Sequence, residues 1–172
     1  HMRINFSALW NAHPEVSGEE NSCRLKDGRK AFDDQCAIRI GVALTRCGYD
    51  MTKLPGRFCW YHSKSEGHIL RAEELANALR NANIPGVRPM VKIDVKNFEK
   101  VLKTERGIIF FKDYWRRGNE NFLNRSGDHI DLWNGERLTS KLSYFRINWG
   151  LNIEGIWSSF ANAREIWFWS VI

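Results

Sequence analysis

The stretch GIIFFKDYW, residues 107 to 115, is where the chain changes character. Four consecutive apolar side chains, two of them β-branched and two aromatic, read as a buried strand. Before it the apolar residues recur at helical spacing; after it they come in short strand-like runs. Upstream, NFSALWNAH reads as a short helix capped by Asn5, and a helix starts at Asp34 and closes at Gly48. RAEELANALRNANIPG is a helix with Leu75, Ala78, Leu79 and Ala82 on one face, stopped by Pro85-Gly86. VKNFEKVLKTE is another, capped by Asp94. Downstream, DHIDLWNGERLTSKL reads as two strands joined at Asn134-Gly135, and SYFRINWG and REIWFWSVI as further strands. Helices first and strands later predict an α+β fold, with N-terminal helices packed on an antiparallel β-sheet.

The chain has 172 residues, so a single domain over 1–172 is expected, with His1 read as a cloning remnant. At that length roughly 70% of the unfolded chain's surface is buried. Hydrophobic residues make up 43%, with eight tryptophans, so a real core is available. No run of about 18 apolar residues occurs, so no membrane insertion is expected. RINFSALWNAHP is too polar for a secretory h-region, so export would proceed without a signal peptide. A net charge of +6 favours anionic partners. No dense basic patch accompanies it, which argues against nucleic acid.

The four cysteines stand at 23, 36, 47 and 59. None forms a C-x-x-C, so neither a metal site nor a cofactor is expected. Cys47 and Cys59 flank an irregular loop and are the expected disulfide pair, with Cys23 competing for either partner.

Cys36 admits two readings. It is a small core residue, or it is a nucleophile at a helix N-terminus. With Asp34 as N-cap, its sulfur would lie near unpaired backbone N–H groups and the positive end of the helix dipole. That setting lowers a thiol pKa. A thiolate nucleophile needs a base, and the base needs an orienting partner. Of the five histidines, His129 alone lies within a predicted strand. Asp131, two residues on, shares its face. A two-residue loop at Asn134-Gly135 would set His129 opposite Ser140.

A helical cysteine, a later strand histidine and a polar orienter is the papain-like order of parts. The blocks QCAIRIGVALTRCG, RAEELANAL, GDHIDLWNG and WFW together resemble the fourth family of type VI secretion amidase effectors, over residues 36 to 169. The resemblance implies a papain-like cell-wall amidase that cuts the γ-D-glutamyl-meso-diaminopimelate bond of peptidoglycan stem peptides. It implies delivery by a secretion apparatus into a rival's periplasm and neutralisation by a cognate immunity protein. By motif match Cys36 would be the nucleophile and His129 the general base. The family places an aspartate about a dozen residues after the histidine, where this chain has Thr139-Ser140. Asp131 and Ser140 are therefore both candidates for the third position. The Cys36 backbone N–H is the expected oxyanion donor. Arg39, one turn along the helix, is placed to reach a substrate carboxylate, and Trp133 is a candidate substrate contact. Two rival readings are another papain-like peptidase or acyltransferase, and a non-catalytic wall-binding module using Trp60, Trp115, Trp133 and Trp149.

Overall fold

A computed structural model describes residues 2–19, 21–94, 98–115, 127–140 and 163–172. Among the described residues, five α-helices and four strands follow one another as α1 (Phe6–Ala12), α2 (Pro14–Ser17), α3 (Cys36–Arg46), α4 (Ala72–Asn81), β1 (Val91–Ile93), α5 (Phe98–Thr104), β2 (Gly107–Trp115), β3 (Gly127–Trp133) and β4 (Glu165–Ser170). The strands form one antiparallel sheet in the order β1-β4-β2-β3. The α+β expectation is met, with the N-terminal helices on the sheet. Among the described residues no helix is long and apolar enough to cross a membrane.

The run at 107–111 is continuously apolar because the sheet is covered on both faces there. Ile108 and Phe110 join Ile130, Leu132, Trp167 and Trp169 on the face packed by α3 and α4. Ile109, Phe111, Trp133, Ile166 and Phe168 point the other way, where Leu102 of α5 covers them. The central stretches of β2, β3 and β4 thus bury alternate side chains in two separate cores, while β1 at the sheet edge exposes Val91 and Lys92.

Local chemistry sets the element ends. Asn5 caps α1 by accepting the Ala8 N–H at 2.8 Å. α4 ends at Asn81, before Pro85-Gly86, and buries Leu75, Ala78 and Leu79 as its period predicts. α3 begins at Cys36, two residues later than the expected start at Asp34, and its N-cap is Gln35. Residues 95–97, which separate the expected cap Asp94 from α5, lie outside the described residues, as does the expected strand at 143–150.

The turn after β3 differs from expectation by one residue. Leu138 bridges to Trp133, and the Asn134 N–H donates to the Arg137 carbonyl at 3.2 Å. The Asn134 side chain accepts from the N–H groups of Glu136 and Arg137, so the loop residues are Gly135 and Glu136. Gly135 takes φ 94°, a left-handed conformation that glycine adopts without a Cβ penalty. A one-residue shift changes which residues face each other. It carries Ser140 from opposite His129 to opposite Asp131.

Candidate active site

Cys36, Arg39, His129, Ile130, Asp131, Thr139 and Ser140 line one pocket together with His13 and Glu15. α3 supplies the cysteine from its first residue, and β3, packed against α3, supplies the histidine and the aspartate. Period-two alternation puts His129 and Asp131 on one side of the strand, and their side chains meet: Nε2 of His129 lies 3.0 Å from Oδ2 of Asp131. The ring stacks on Phe111, its cross-strand neighbour, at 6.1 Å between centroids.

Asp131 is itself held from several sides. Its Oδ1 accepts the Leu132 N–H at 2.7 Å, the Thr139 N–H at 3.2 Å and the Thr139 hydroxyl. Its Oδ2 accepts the Ser140 N–H at 3.3 Å. Burial alone would push this carboxyl up. The hydrogen bond and charge of His129, with help from His13 and Thr139, outweigh that and hold it below the usual carboxylate range. An ionised carboxylate can only accept, so Nε2 of His129 carries the proton and Nδ1 is the basic nitrogen of the neutral ring. Asp113, which stands at φ 51° in β2, pairs with Arg164 at 3.3 Å.

Cys36 does not have the environment that its place on the helix predicts. It is 7% exposed. Burial pushes its thiol well above the ordinary value, and the negative charge of Asp34 pushes the same way; an N–H from Ile130 directed at the sulfur pulls it back in part. The expected depression is therefore reversed, because desolvation and a neighbouring carboxylate outweigh the helix terminus. Asp34 also accepts the Cys36 N–H at 3.1 Å. The donor expected for an oxyanion is thus engaged by a side chain of the protein itself, and Asp34 is exposed at the surface.

Of the two residues read from the sequence as substrate contacts, Arg39 lines the pocket and Trp133 does not. The Arg39 guanidinium lies 3.4 Å from Glu15 and ties α2 to α3. Trp133 is fully buried and its Nε1 donates to the Leu102 carbonyl at 2.8 Å, so it is a core residue and no substrate contact. Its odd position in β3 turns it toward the α5 side. Trp60, by contrast, is 64% exposed, next to exposed Tyr61. Trp149 lies outside the described residues.

The Cys47–Cys59 pairing is also not found. All four cysteines are free, and Cys59 lies against Cys23, with 3.5 Å between their sulfurs. The reason is Gln35, whose amide brackets the Cys23 backbone, accepting its N–H at 3.0 Å and donating to its carbonyl at 2.9 Å. That holds Cys23 beside the 57–70 hairpin, while Cys47 ends α3 and packs on the main core.

His13 was missed. It is buried, its Nδ1 accepts the Glu15 N–H at 3.2 Å, and its Nε2 lies 3.5 Å from the Thr139 hydroxyl. Burial lowers its pKa to about 4, against the pull of Asp131. The sequence did hold a signal for half of this. His13 precedes Pro14 at a helix start, where a side-chain acceptor serves as a cap.

A thiol at a helix start, a histidine held by a carboxylate, and a shared pocket make the arrangement of a cysteine hydrolase. The family model for Tae4, type VI secretion system amidase effector protein 4, matches residues 32–169. This chain belongs to that family. It is an amidase effector of the type VI secretion system, a hydrolase by family, and one delivered to target cells. No curated protein matches the chain. Among solved structures, the effector Tae4 from Enterobacter cloacae is 19% identical with a TM-score of 0.58, covering 100% of this chain and 99% of that one. The Tae4–Tai4 effector–immunity complex from Enterobacter cloacae matches at 21% identity and a TM-score of 0.55, covering 99% and 100%. Tae4 from Salmonella typhimurium, in complex with the immunity protein Tai4 from Enterobacter cloacae, matches at 17% and 0.55, covering 99% of each. At these identities the likeness speaks for the fold.

Proposed function

We propose that the chain cleaves the γ-D-glutamyl-meso-diaminopimelate bond of peptidoglycan stem peptides in the periplasm of the target cell, and that a cognate immunity protein blocks it there. The observation that carries this reading is the 3.0 Å His129–Asp131 contact in the pocket that Cys36 opens into. The thiol is protonated at rest, so attack and deprotonation go together. Nδ1 of His129 takes the thiol proton as sulfur bonds to the amide carbonyl carbon. The imidazolium, stabilised by the Asp131 carboxylate, gives that proton to the departing amine of diaminopimelate. Water, deprotonated by His129, then hydrolyses the thioester, releasing the γ-carboxylate and returning the thiol. Asp34 must leave the Cys36 N–H before that donor can serve the developing oxyanion.

The test is mass spectrometry of Gram-negative peptidoglycan digested with the wild type and with Cys36→Ala. The expected products are stem peptides ending at D-glutamate, with a new amine on diaminopimelate, from the wild type alone. Cleavage at another bond overturns the specificity, and equal cleavage by Cys36→Ala overturns the mechanism.

A further inference from the structure

Away from the pocket, on the far side of the α3 N-terminus, four side chains converge that the hydrolase reading does not use. Cys23, Cys59, His62 and His68 place one ligand atom each within 4.8 Å of one another. Cys23 Sγ and Cys59 Sγ are 3.5 Å apart, and Nδ1 of His62 lies 3.5 Å and 3.3 Å from them. Ligand atoms around a tetrahedral zinc, with Zn–S near 2.3 Å and Zn–N near 2.0 Å, stand about 3.3–3.8 Å from each other. The three separations among Cys23, Cys59 and His62 match that spacing, and the His68 nitrogen lies within 4.8 Å of all three. Cys23, Cys59 and His68 are buried, and His62 closes the side nearest solvent.

Three observations point to a ligand and not to chance packing. Nδ1 of His68 is buried with no hydrogen-bond partner, and His68 is 6% exposed. A buried polar nitrogen left unpaired is costly, and a bound metal relieves a site of that kind. The Tyr61 N–H donates to Cys59 Sγ at 3.3 Å, which stabilises negative charge on that sulfur. The 58–69 hairpin is built to present the set: Phe58 bridges to Ile69, and the Cys59 N–H donates to the His68 carbonyl at 2.9 Å. That fixes Cys59 and His68 side by side across the hairpin.

We propose that Cys23, Cys59, His62 and His68 bind one structural Zn²⁺ ion. Two thiolates and two neutral imidazoles form the closed S₂N₂ tetrahedral set that suits this metal. Binding displaces one proton from each thiol to solvent and leaves a site of zero net charge. The ion joins the 21–35 loop to the 57–70 hairpin. Through Gln35, which clamps Cys23 and is the N-cap of α3, it fixes the residue that precedes Cys36. The earlier expectation of no metal rested on cysteine spacing, and these ligands come from two loops 36 residues apart in the chain.

The experiment measures metal on tag-free protein purified without chelator. Elemental analysis is expected to find about one zinc per chain, falling sharply in Cys23→Ser, Cys59→Ser and His62→Gln. His62 lies nearest solvent, so His62→Gln is the variant most able to fold. Cobalt(II) in place of zinc should give sulfur-to-metal charge-transfer and tetrahedral d–d absorption that His62→Gln alters. Alkylation after denaturation with chelator should modify all four cysteines. Zinc well below stoichiometric in freshly purified, fully reduced wild type, with none taken up on titration, overturns the proposal. So does a folded His62→Gln that keeps full metal and an unchanged cobalt spectrum, or a chain isolated with Cys23 and Cys59 already joined as a disulfide. None of these readouts depends on amidase activity, so the proposal fails or stands apart from the bond assigned above.

Discussion

Oδ2 of Asp131 meets Nε2 of His129 at 3.0 Å, while Ser140 reaches the same carboxylate through its backbone N–H at 3.3 Å. The two candidates for the third catalytic position therefore play unequal parts. Asp131 touches the imidazole and carries the charge that an imidazolium needs. Ser140 is opposite Asp131 in the corrected register and helps to hold that carboxylate.

Asp131→Asn is expected to lower kcat on muropeptides by about 10³–10⁴-fold, because an amide stabilises the wrong tautomer of His129. Ser140→Ala keeps the backbone N–H and should stay within a few-fold of wild type. Circular dichroism on each variant separates lost chemistry from lost fold. A Ser140→Ala loss as large as that of Asp131→Asn would contradict the assignment.

His13 predicts a pH window for stability. Its folded pKa is lowered to about 4 from 6.5 by burial. Above 6.5 the ring is neutral in both states and the fold has its full stability. As pH falls from 6.5 toward 4, the unfolded chain takes up a proton that the folded chain refuses, so stability drops, by on the order of 3 kcal/mol at the lower end. Below about 4 both states are protonated and this slope ends. Asp131 has the opposite starting point but the same sign: its depressed carboxyl adds stability above the usual carboxylate range, and that stability is lost as pH falls through the folded value. His13→Asn keeps an acceptor for the Glu15 N–H and should reduce the fall of the denaturation midpoint between pH 6.5 and 4, leaving the share of His68, whose pKa burial also lowers, and the loss below 4. An unchanged slope in that window would rule His13 out.

The sequence is legible where one local pattern decides the outcome. α1 was found from Asn5 and α4 from its apolar spacing. β2 and β4 were found from runs that only a doubly covered strand explains. Cys36, His129 and Asp131, singled out because chemistry demands a nucleophile, a base and an orienter on rigid elements, do line one pocket. What failed depends on side chains choosing between local partners. Gln35 spends its amide on Cys23, so the helix starts later than the Asp34 reading allows. Asn134 caps two following N–H groups, so the turn moves one residue along. β1 spans three residues, too few to show a period. His13 enters the pocket, and Cys59 meets Cys23, only through tertiary packing that no spacing rule encodes.

Gly41 lies inside α3, and the helix passes so close to the 63–67 turn that a Cβ there would meet the Gly67 carbonyl oxygen at 1.9 Å. That contact is with backbone, which cannot swing aside. Gly41→Ala gains helix propensity of about 1 kcal/mol, yet it must push the turn off the helix, and overpacking of this kind costs about 1–3 kcal/mol or more. The net expectation is a lower urea midpoint, against the rise an exposed helix glycine would give. A stabilised Gly41→Ala would mean that the turn does not pack on α3.

Trp133 gives a test between core and substrate roles. It is fully buried and bonds the Leu102 carbonyl at 2.8 Å. Trp133→Phe removes the indole N–H, leaves that carbonyl unpaired and opens space, so a loss of about 1–3 kcal/mol in stability is expected. KM for muropeptides should be unchanged at a temperature where the variant is folded. A raised KM with unaltered stability would restore it as a substrate contact.

Asp34 holds two levers on the nucleophile, and two variants separate them. Its charge raises the Cys36 thiol pKa, and its Oδ1 occupies the Cys36 N–H. Asp34→Asn removes the charge and keeps an acceptor. Asp34→Ala removes both, at the cost of one side-chain-to-backbone hydrogen bond, about 1 kcal/mol. With the negative charge gone, the thiolate is easier to form, so the pH midpoint for alkylation of Cys36 moves down and the rate at pH 7 rises in both variants. Only Asp34→Ala releases the N–H for the oxyanion, so its kcat should exceed that of Asp34→Asn once both are confirmed folded. The two measurements read different things, since alkylation needs no oxyanion donor and amide cleavage does. Should Asp34→Asn match or outpace Asp34→Ala in kcat while alkylating equally fast, the Cys36 N–H is not the donor, and the oxyanion is held by another group lining the pocket.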